Sequence, residues 1–361
     1  MAIKWKTEIF KYNDTTTIAI GLWDSNKNIF LVSPLTSFIH DCYLNTKTST
    51  QMAASRLVVA FLNYILSCNK ELEDISYQDA IDFLSSTNAS RTTKINYKNY
   101  LQHFYLFLNE HDFISVRPEK LQNFKFTGFK NNKQKSKDVI HFIELDYIPL
   151  FLQCAKDVAP DIAFGIFLQL FGGLRCSEVI SLEYSNIHFS RKNDIKTMYV
   201  SLIDKDLRPD IKNGFINKTK KNRKQQIIPA FGNMLFDLYT EHKLNYKNNN
   251  SAVFIDANGN PMTSATYSRK FNKVKKHFID TLSQSNDLNA RAYAVYLSTY
   301  RWSTHICRGV FSNLIAQHAS NVSEIAAWRG DSSLSSSIPY LNDNRVVSDK
   351  VLNVLNQIYK E

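Results

Sequence analysis

The stretch IAFGIFLQLFGGL, residues 162–174, is the most apolar run in the chain. It falls short of the ~20 apolar residues that cross a bilayer, so it reads as a helix inside a folded domain. Gly172 and Gly173 end that helix, and Arg175 then opens the next, RCSEVISLEYSNI. Glu178 lies one turn beyond Arg175, where a carboxylate can orient the guanidinium or cap the turn.

The rest of the chain falls into contrasting segments. Residues 1–45 form a β-rich extension: TEIFKY, TTTIAIGLW and NIFLVS with turn signals between them predict a hairpin or meander. This extension either packs on the next domain or makes contacts of its own beyond it. A short helix is expected near 34–44. Residues 46–126 predict a small helical bundle from TSTQMAASRLVVAFLNYILS, ISYQDAIDFLSST and SRTTKINYKNYLQHFYLFLNEHDF. Arg91, Lys94 and Lys98 are expected near one face of the third helix, either solvated or on phosphates. Residues 127–138 read as a basic linker carrying Lys133 and Lys135. From 139 to 361 the pattern is helical, interrupted by strands at NIHF, KTMYVSLI, GFIN and QQIIPAF. The fold class is therefore mainly α with a small antiparallel β-sheet. A hydrophobic share of 44% is ample for packed cores.

Far downstream of Arg175, His305 and Arg308 stand at i and i+3 of a helical pattern that also places Arg301 one turn earlier. Tyr340 follows Arg308 by 32 positions. Two arginines can clamp the oxygens of a phosphodiester, because each planar fork gives two parallel charge-assisted bonds. A tyrosine hydroxyl, with a reference pKa of about 10, becomes a nucleophile when positive charge favours its phenolate. A lysine or histidine can protonate the leaving sugar oxygen.

GLRCSEVISL, a basic hairpin, HxxR and a tyrosine at this spacing, in this order, resemble the tyrosine recombinase (phage integrase) family over residues 140–345. The resemblance implies a helical core-binding, SAM-like domain over 46–126 and a catalytic domain over 139–361. It implies site-specific DNA cleavage and rejoining through a 3′-phosphotyrosyl link, with Tyr340 as nucleophile and Arg175 and Arg308 as the clamp. His305 would assist acid–base chemistry or donate to the phosphate, and Glu178 would support Arg175. The hairpin KTKKNRK has five basic residues in seven, and by resemblance it carries the general-acid lysine. Lys218 and Lys220 share strand parity, and Lys218 is favoured. Lys221, Arg223, Lys273 and Arg301 join Arg91, Lys94, Lys98, Lys133 and Lys135 as expected DNA contacts. Lys273 belongs to a basic stripe with Lys270 and Lys276.

The family usually has His or Trp nine positions before the tyrosine; this chain has Asp331. An ionised carboxylate there repels a phosphate, so either Asp331 turns away and bonds Ser332, Ser333 or a backbone amide, or the position is tolerant, as Trp in some relatives implies, or cleavage is slow; Trp328 is expected to fill the packing role. Two rival readings follow: a type IB topoisomerase-like enzyme, and a non-catalytic DNA-binding relative disabled by Asp331. No metal and no cofactor are expected.

Lys and Arg number 44 against 33 Asp and Glu, a formal charge of +11, which favours an acidic polymer as partner over a membrane. The expected partner is double-stranded DNA with specific core sites. NRVVSDKVLNVLNQIYKE reads as an amphipathic helix that either packs on its own domain or, as the family resemblance implies, docks in trans on a neighbouring protomer and so builds a tetramer on that DNA. The scattered cysteines lack zinc spacing, and MAIKWKTEIFKYND lacks a signal-peptide core. A cytoplasmic, nucleoid-associated protein is expected.

Overall fold

The computed structural model describes residues 3–12, 15–46, 48–114, 139–192, 195–208, 210–211, 222–247, 249–331 and 334. These fall into two compact units, built on residues 3–114 and 139–331.

The first unit opens with β1 (Ile3–Tyr12), β2 (Thr15–Asp24) and β3 (Ile29–Val32). They form an antiparallel meander, with Ile3 opposite Asp24 and Gly21 opposite Val32. Helices α1 (Ser37–Tyr43), α2 (Thr48–Ser67), α3 (Tyr77–Ser86) and α4 (Arg91–Glu110) follow. The sheet shares its core with the helices: Ile18 and Ile20 lie in one cluster with Phe38, Phe61 and Phe104. Polar bonds fasten the same joint. Asn63 on α2 accepts from the Trp5 amide at 2.9 Å and donates to the Trp5 carbonyl at 3.0 Å. The start of α3 is fixed by Asp79, whose carboxylate accepts from the Ser76 amide at 2.7 Å.

The second unit begins with an extended segment in which the Ile140 amide bonds the Arg301 carbonyl at 2.9 Å. The helix predicted from Val139 onward therefore begins only at α5 (Ile148–Val158). The apolar run forms α6 (Pro160–Gly172), buried continuously from Ile162 to Gly172. Among the described residues no helix is long and apolar enough to cross a membrane. The short α7 (Cys176–Ile180) leads into β4 (Ile187–Lys192), β5 (Ile195–Leu202) and β6 (Arg223–Ile227). These strands form an antiparallel sheet in the order β4-β5-β6, with Leu202 opposite Arg223. GFIN lies outside the described residues. Four helices complete the unit: α8 (Met234–Tyr246), α9 (Ser264–Ser283), α10 (Leu288–Thr299) and α11 (His305–His318). The last described helix is α12 (Val322–Arg329). Phe151, Phe164, Phe271, Phe278 and Trp302 fill the core around α6. The main-chain bond from Ile228 to the Phe171 carbonyl, at 2.9 Å, sets β6 against the end of α6.

Candidate functional site

The end of α6 positions the first arginine. Gly173 adopts a left-handed φ of 63°, and a Cβ there would meet the Phe311 ring at 2.3 Å, so this turn admits only glycine. The turn releases Leu174 into the core and leaves Arg175 as the residue before α7. Glu178, completely buried, accepts from the Arg175 amide at 2.8 Å and from its Nη1 at 3.0 Å. The same carboxylate takes Arg223 in bidentate fashion, Nη1 at 2.8 Å and Nη2 at 3.1 Å. Burial raises the Glu178 pKa, but the Arg223 guanidinium, the Arg175 amide and the Arg175 charge outweigh it and hold the carboxyl below its usual range.

Arg308 enters from α11 and is 4% exposed. Its Nη1 donates to the Gly173 carbonyl, and its Nη2 donates to the Arg329 carbonyl at 2.9 Å. That same Nη2 reaches Asp331 Oδ1 at 2.7 Å, and Arg175 Nη2 reaches the same oxygen at 2.6 Å. Arg329 Nε stands 2.9 Å from Asp331 Oδ2. Burial, then the Arg175 and Arg329 charges, bring the Arg308 pKa down to about 10, against the pull of Asp331 and Glu178. Arg308 is therefore protonated at neutral pH.

Asp331 does not turn away; its side chain is 4% exposed and lies among three arginines. The cause is local and electrostatic. Gly330 closes α12 in a left-handed turn (φ 64°), with the Asp331 amide bonded to the Ala326 carbonyl at 2.9 Å. The left-handed φ favours glycine at this position, and the Arg223 side chain lies over it. Guanidiniums brought this close and buried need a counter-charge, and Asp331 supplies it. Trp328 is 45% exposed and does not take the packing role expected of it; its carbonyl instead accepts from Gln225 Nε2 at 3.0 Å.

The other candidates divide. His305 is exposed at the start of α11, one turn before Arg308. Arg91 and Lys273 are exposed, and Lys98 is half-buried. Lys94 is 5% exposed, which removes it from the open face expected for it. Arg223 is bonded to Glu178 rather than displayed as a surface cation. Arg301 is exposed but does not lie on α11: Trp302 is buried, donates Nε1 to the Leu297 carbonyl at 2.9 Å, and breaks the helical path before Thr304. In the basic stripe, Lys270 pairs with Asp161 at 2.7 Å while Lys276 is exposed. Lys133, Lys135, Lys218, Lys220, Lys221, Tyr340 and the predicted C-terminal helix lie outside the described residues. All five cysteines are unpaired. Arg329 is the site residue that sequence reasoning passed over, although a charge two positions before Asp331 was visible. The partnership of Arg223 was also legible: RKQQI alternates, placing Arg223 on the inward side with Gln225 and Ile227.

Glu178→Gln is expected to cost about 3 kcal/mol of folding stability, because two guanidiniums lose their shared buried counter-charge. Urea unfolding against pH measures it. A depressed carboxyl stabilises above its unfolded value and loses that contribution as pH falls through the folded one. The parent should thus weaken below pH about 4.5, the ordinary Glu value, and the variant should weaken less over that range.

Residues 141–345 match the phage integrase family. No curated protein matches the sequence. Among solved structures, the Tn1549 transposon integrase in complex with a circular intermediate DNA is similar at 16% identity and a TM-score of 0.61, covering 88% of this chain and 98% of that one. The XerH site-specific recombinase bound to palindromic difH substrate is similar at 16% identity and 0.56, covering 88% and 82%. A lambda integrase dimer bound to a COC′ core site is similar at 13% identity and 0.51, covering 85% and 93%. At these identities the likeness is one of fold.

Proposed function

This chain belongs to the phage integrase family, with Arg175, Arg308, Asp331 and Tyr340 inside the matched residues 141–345, and on that premise we propose that it is a site-specific DNA recombinase. Tyr340 attacks the scissile phosphate, forms a 3′-phosphotyrosyl ester and releases a 5′ hydroxyl. A 5′ hydroxyl of the partner duplex then attacks the ester and restores the phenol. The ester conserves the energy of the broken bond, so the exchange needs no nucleotide.

The observation that carries this reading is the single acceptor shared by the two arginines. Asp331 Oδ1 receives Arg175 Nη2 at 2.6 Å and Arg308 Nη2 at 2.7 Å. Guanidiniums from α11 and from the end of α6 therefore converge within reach of one anionic oxygen. That is the arrangement a phosphorane-like transition state requires. The same positive charge favours the Tyr340 phenolate. Lys218 or Lys220 gives the proton to the leaving 5′ oxygen, and His305, exposed one turn before Arg308, assists. Arg91, Lys98, Lys273 and Arg301 contact backbone phosphates of double-stranded DNA. The protein assembles on that DNA as a tetramer, with the segment 344–361 docking in trans.

The test uses the full chain and a library of nicked duplexes with randomised cores, which trap a covalent product because the short 5′ fragment diffuses away. An SDS-stable protein–DNA adduct with the linkage mapped to Tyr340 is expected. DNA binding without an adduct would leave the non-catalytic reading standing. Relaxation of supercoiled DNA without exchange between duplexes would favour the topoisomerase-like one.

A further inference from the structure

We propose that Asp331 is a positioning residue for the cleavage step, holding the Arg175 and Arg308 guanidiniums in register for the phosphate; this rests on the recombinase reading. The obvious objection is that a carboxylate among phosphate-binding arginines competes with the substrate. Three observations argue otherwise.

The first is charge. Arg175, Arg223, Arg308 and Arg329 meet two carboxylates, Glu178 and Asp331. Four cations against two anions leave the cluster at +2 with Asp331 ionised, so it still attracts a singly charged phosphodiester. Without Asp331, Arg175, Arg308 and Arg329 would repel one another more strongly and separate.

The second is the supply of donors. Each guanidinium carries five N–H groups. Side-chain bonds among the described residues take two from Arg175, to Glu178 and Asp331. They take three from Arg308, to the Gly173 carbonyl, the Arg329 carbonyl and Asp331. Arg175, whose side chain is 18% exposed against 5% for Arg308, keeps donors for a non-bridging oxygen of a phosphate, so Asp331 need not leave for the substrate to bind.

The third is that Asp331 is itself held. Its amide is bonded to Ala326 at 2.9 Å, Arg329 Nε lies 2.9 Å from its second oxygen, and Gly330 is pressed against Arg223. A residue meant to swing aside would not be fixed on backbone, carboxylate and neighbour alike. One oxygen accepting from both Nη2 atoms sets their separation, and a misplacement of about 1 Å between reacting groups costs about 100-fold in rate.

The test compares the full chain with Asp331→Asn and Asp331→Ala on a duplex recovered from the randomised library, under single-turnover conditions with saturating DNA. Asp331→Ala should form adduct about 100-fold more slowly than the parent while binding the duplex nearly as tightly. Asp331→Asn keeps an acceptor without the charge and should fall between them. Added formate should restore part of the Asp331→Ala rate, a rescue that a merely structural role would not give. If either variant cleaves as fast as the parent or faster, or formate slows Asp331→Ala, the carboxylate competes with phosphate and the proposal is overturned. Should Asp331→Ala not unfold cooperatively, Asp331→Asn decides alone. A second readout is independent of cleavage: NMR of the 15N-labelled guanidiniums should find C–N rotation in Arg175 and Arg308 slow in the parent and faster in Asp331→Asn. A parent chain that makes no adduct overturns the recombinase reading, whereas unchanged rotation overturns the role of Asp331.

Discussion

Tyr340→Phe should give no covalent protein–DNA product, a fall of at least about 10⁴-fold in adduct formation, with duplex binding unchanged. The substitution removes one oxygen and keeps the ring. Binding rests on the arginines and surface cations, which it leaves in place. Attack on phosphorus needs an oxygen nucleophile carried on the protein, because water would give a hydrolysed nick rather than a linked product. Denaturing gels of the nicked duplex separate the outcomes: a shifted band for the parent, none for the variant. A shifted band in the variant would move the nucleophile to another of the 18 tyrosines or to a serine.

Arg308→Lys should lower the single-turnover rate by about 10²–10³-fold, the loss expected when a donor to a developing oxyanion is removed. It should also cost about 3 kcal/mol of stability. Lysine keeps the charge, so a purely Coulombic clamp would survive the change. The geometry does not permit it. The Arg308 guanidinium bonds the Gly173 carbonyl, the Arg329 carbonyl and Asp331 from two different nitrogens. A single ammonium, shorter in reach and without the planar fork, cannot serve all three and still face a phosphate. Burial adds to the loss, since Arg308 is 4% exposed and any bond left unmade is made to nothing else. Single-turnover adduct formation and urea unfolding of the same preparation measure the two effects together.

The placement of Arg175 and Arg308 was legible because local rules set it. The Gly-Gly stop before Leu174 fixes where Arg175 emerges, and the i, i+3 spacing of His305 and Arg308 defines a helix entrance. What escaped the sequence was set by contacts between distant segments. The helical spacing of Arg91, Lys94 and Lys98 groups them, but it does not say that Lys94 is covered. Arg301 looked like part of the α11 pattern because nothing local announces that Trp302 dives into the core. Asp331 was misplaced because its charge was judged against a phosphate alone. Its sign makes sense only beside Arg329 and the buried Arg308, which the fold brings together. The three-stranded meander followed from alternation and turn residues, and the short helix at Ser37–Tyr43 lies where one was expected.

The joint between the opening sheet and α2 has a mechanical consequence. Ile18 and Ile20 are walls of the same interior as Phe61 and Phe104, and Asn63 grips the main chain of β1 from the helix. A push or pull on the meander is thus delivered through this shared core into the bundle rather than dissipated in a tether. Shearing those strands off would open the bundle to water along one side.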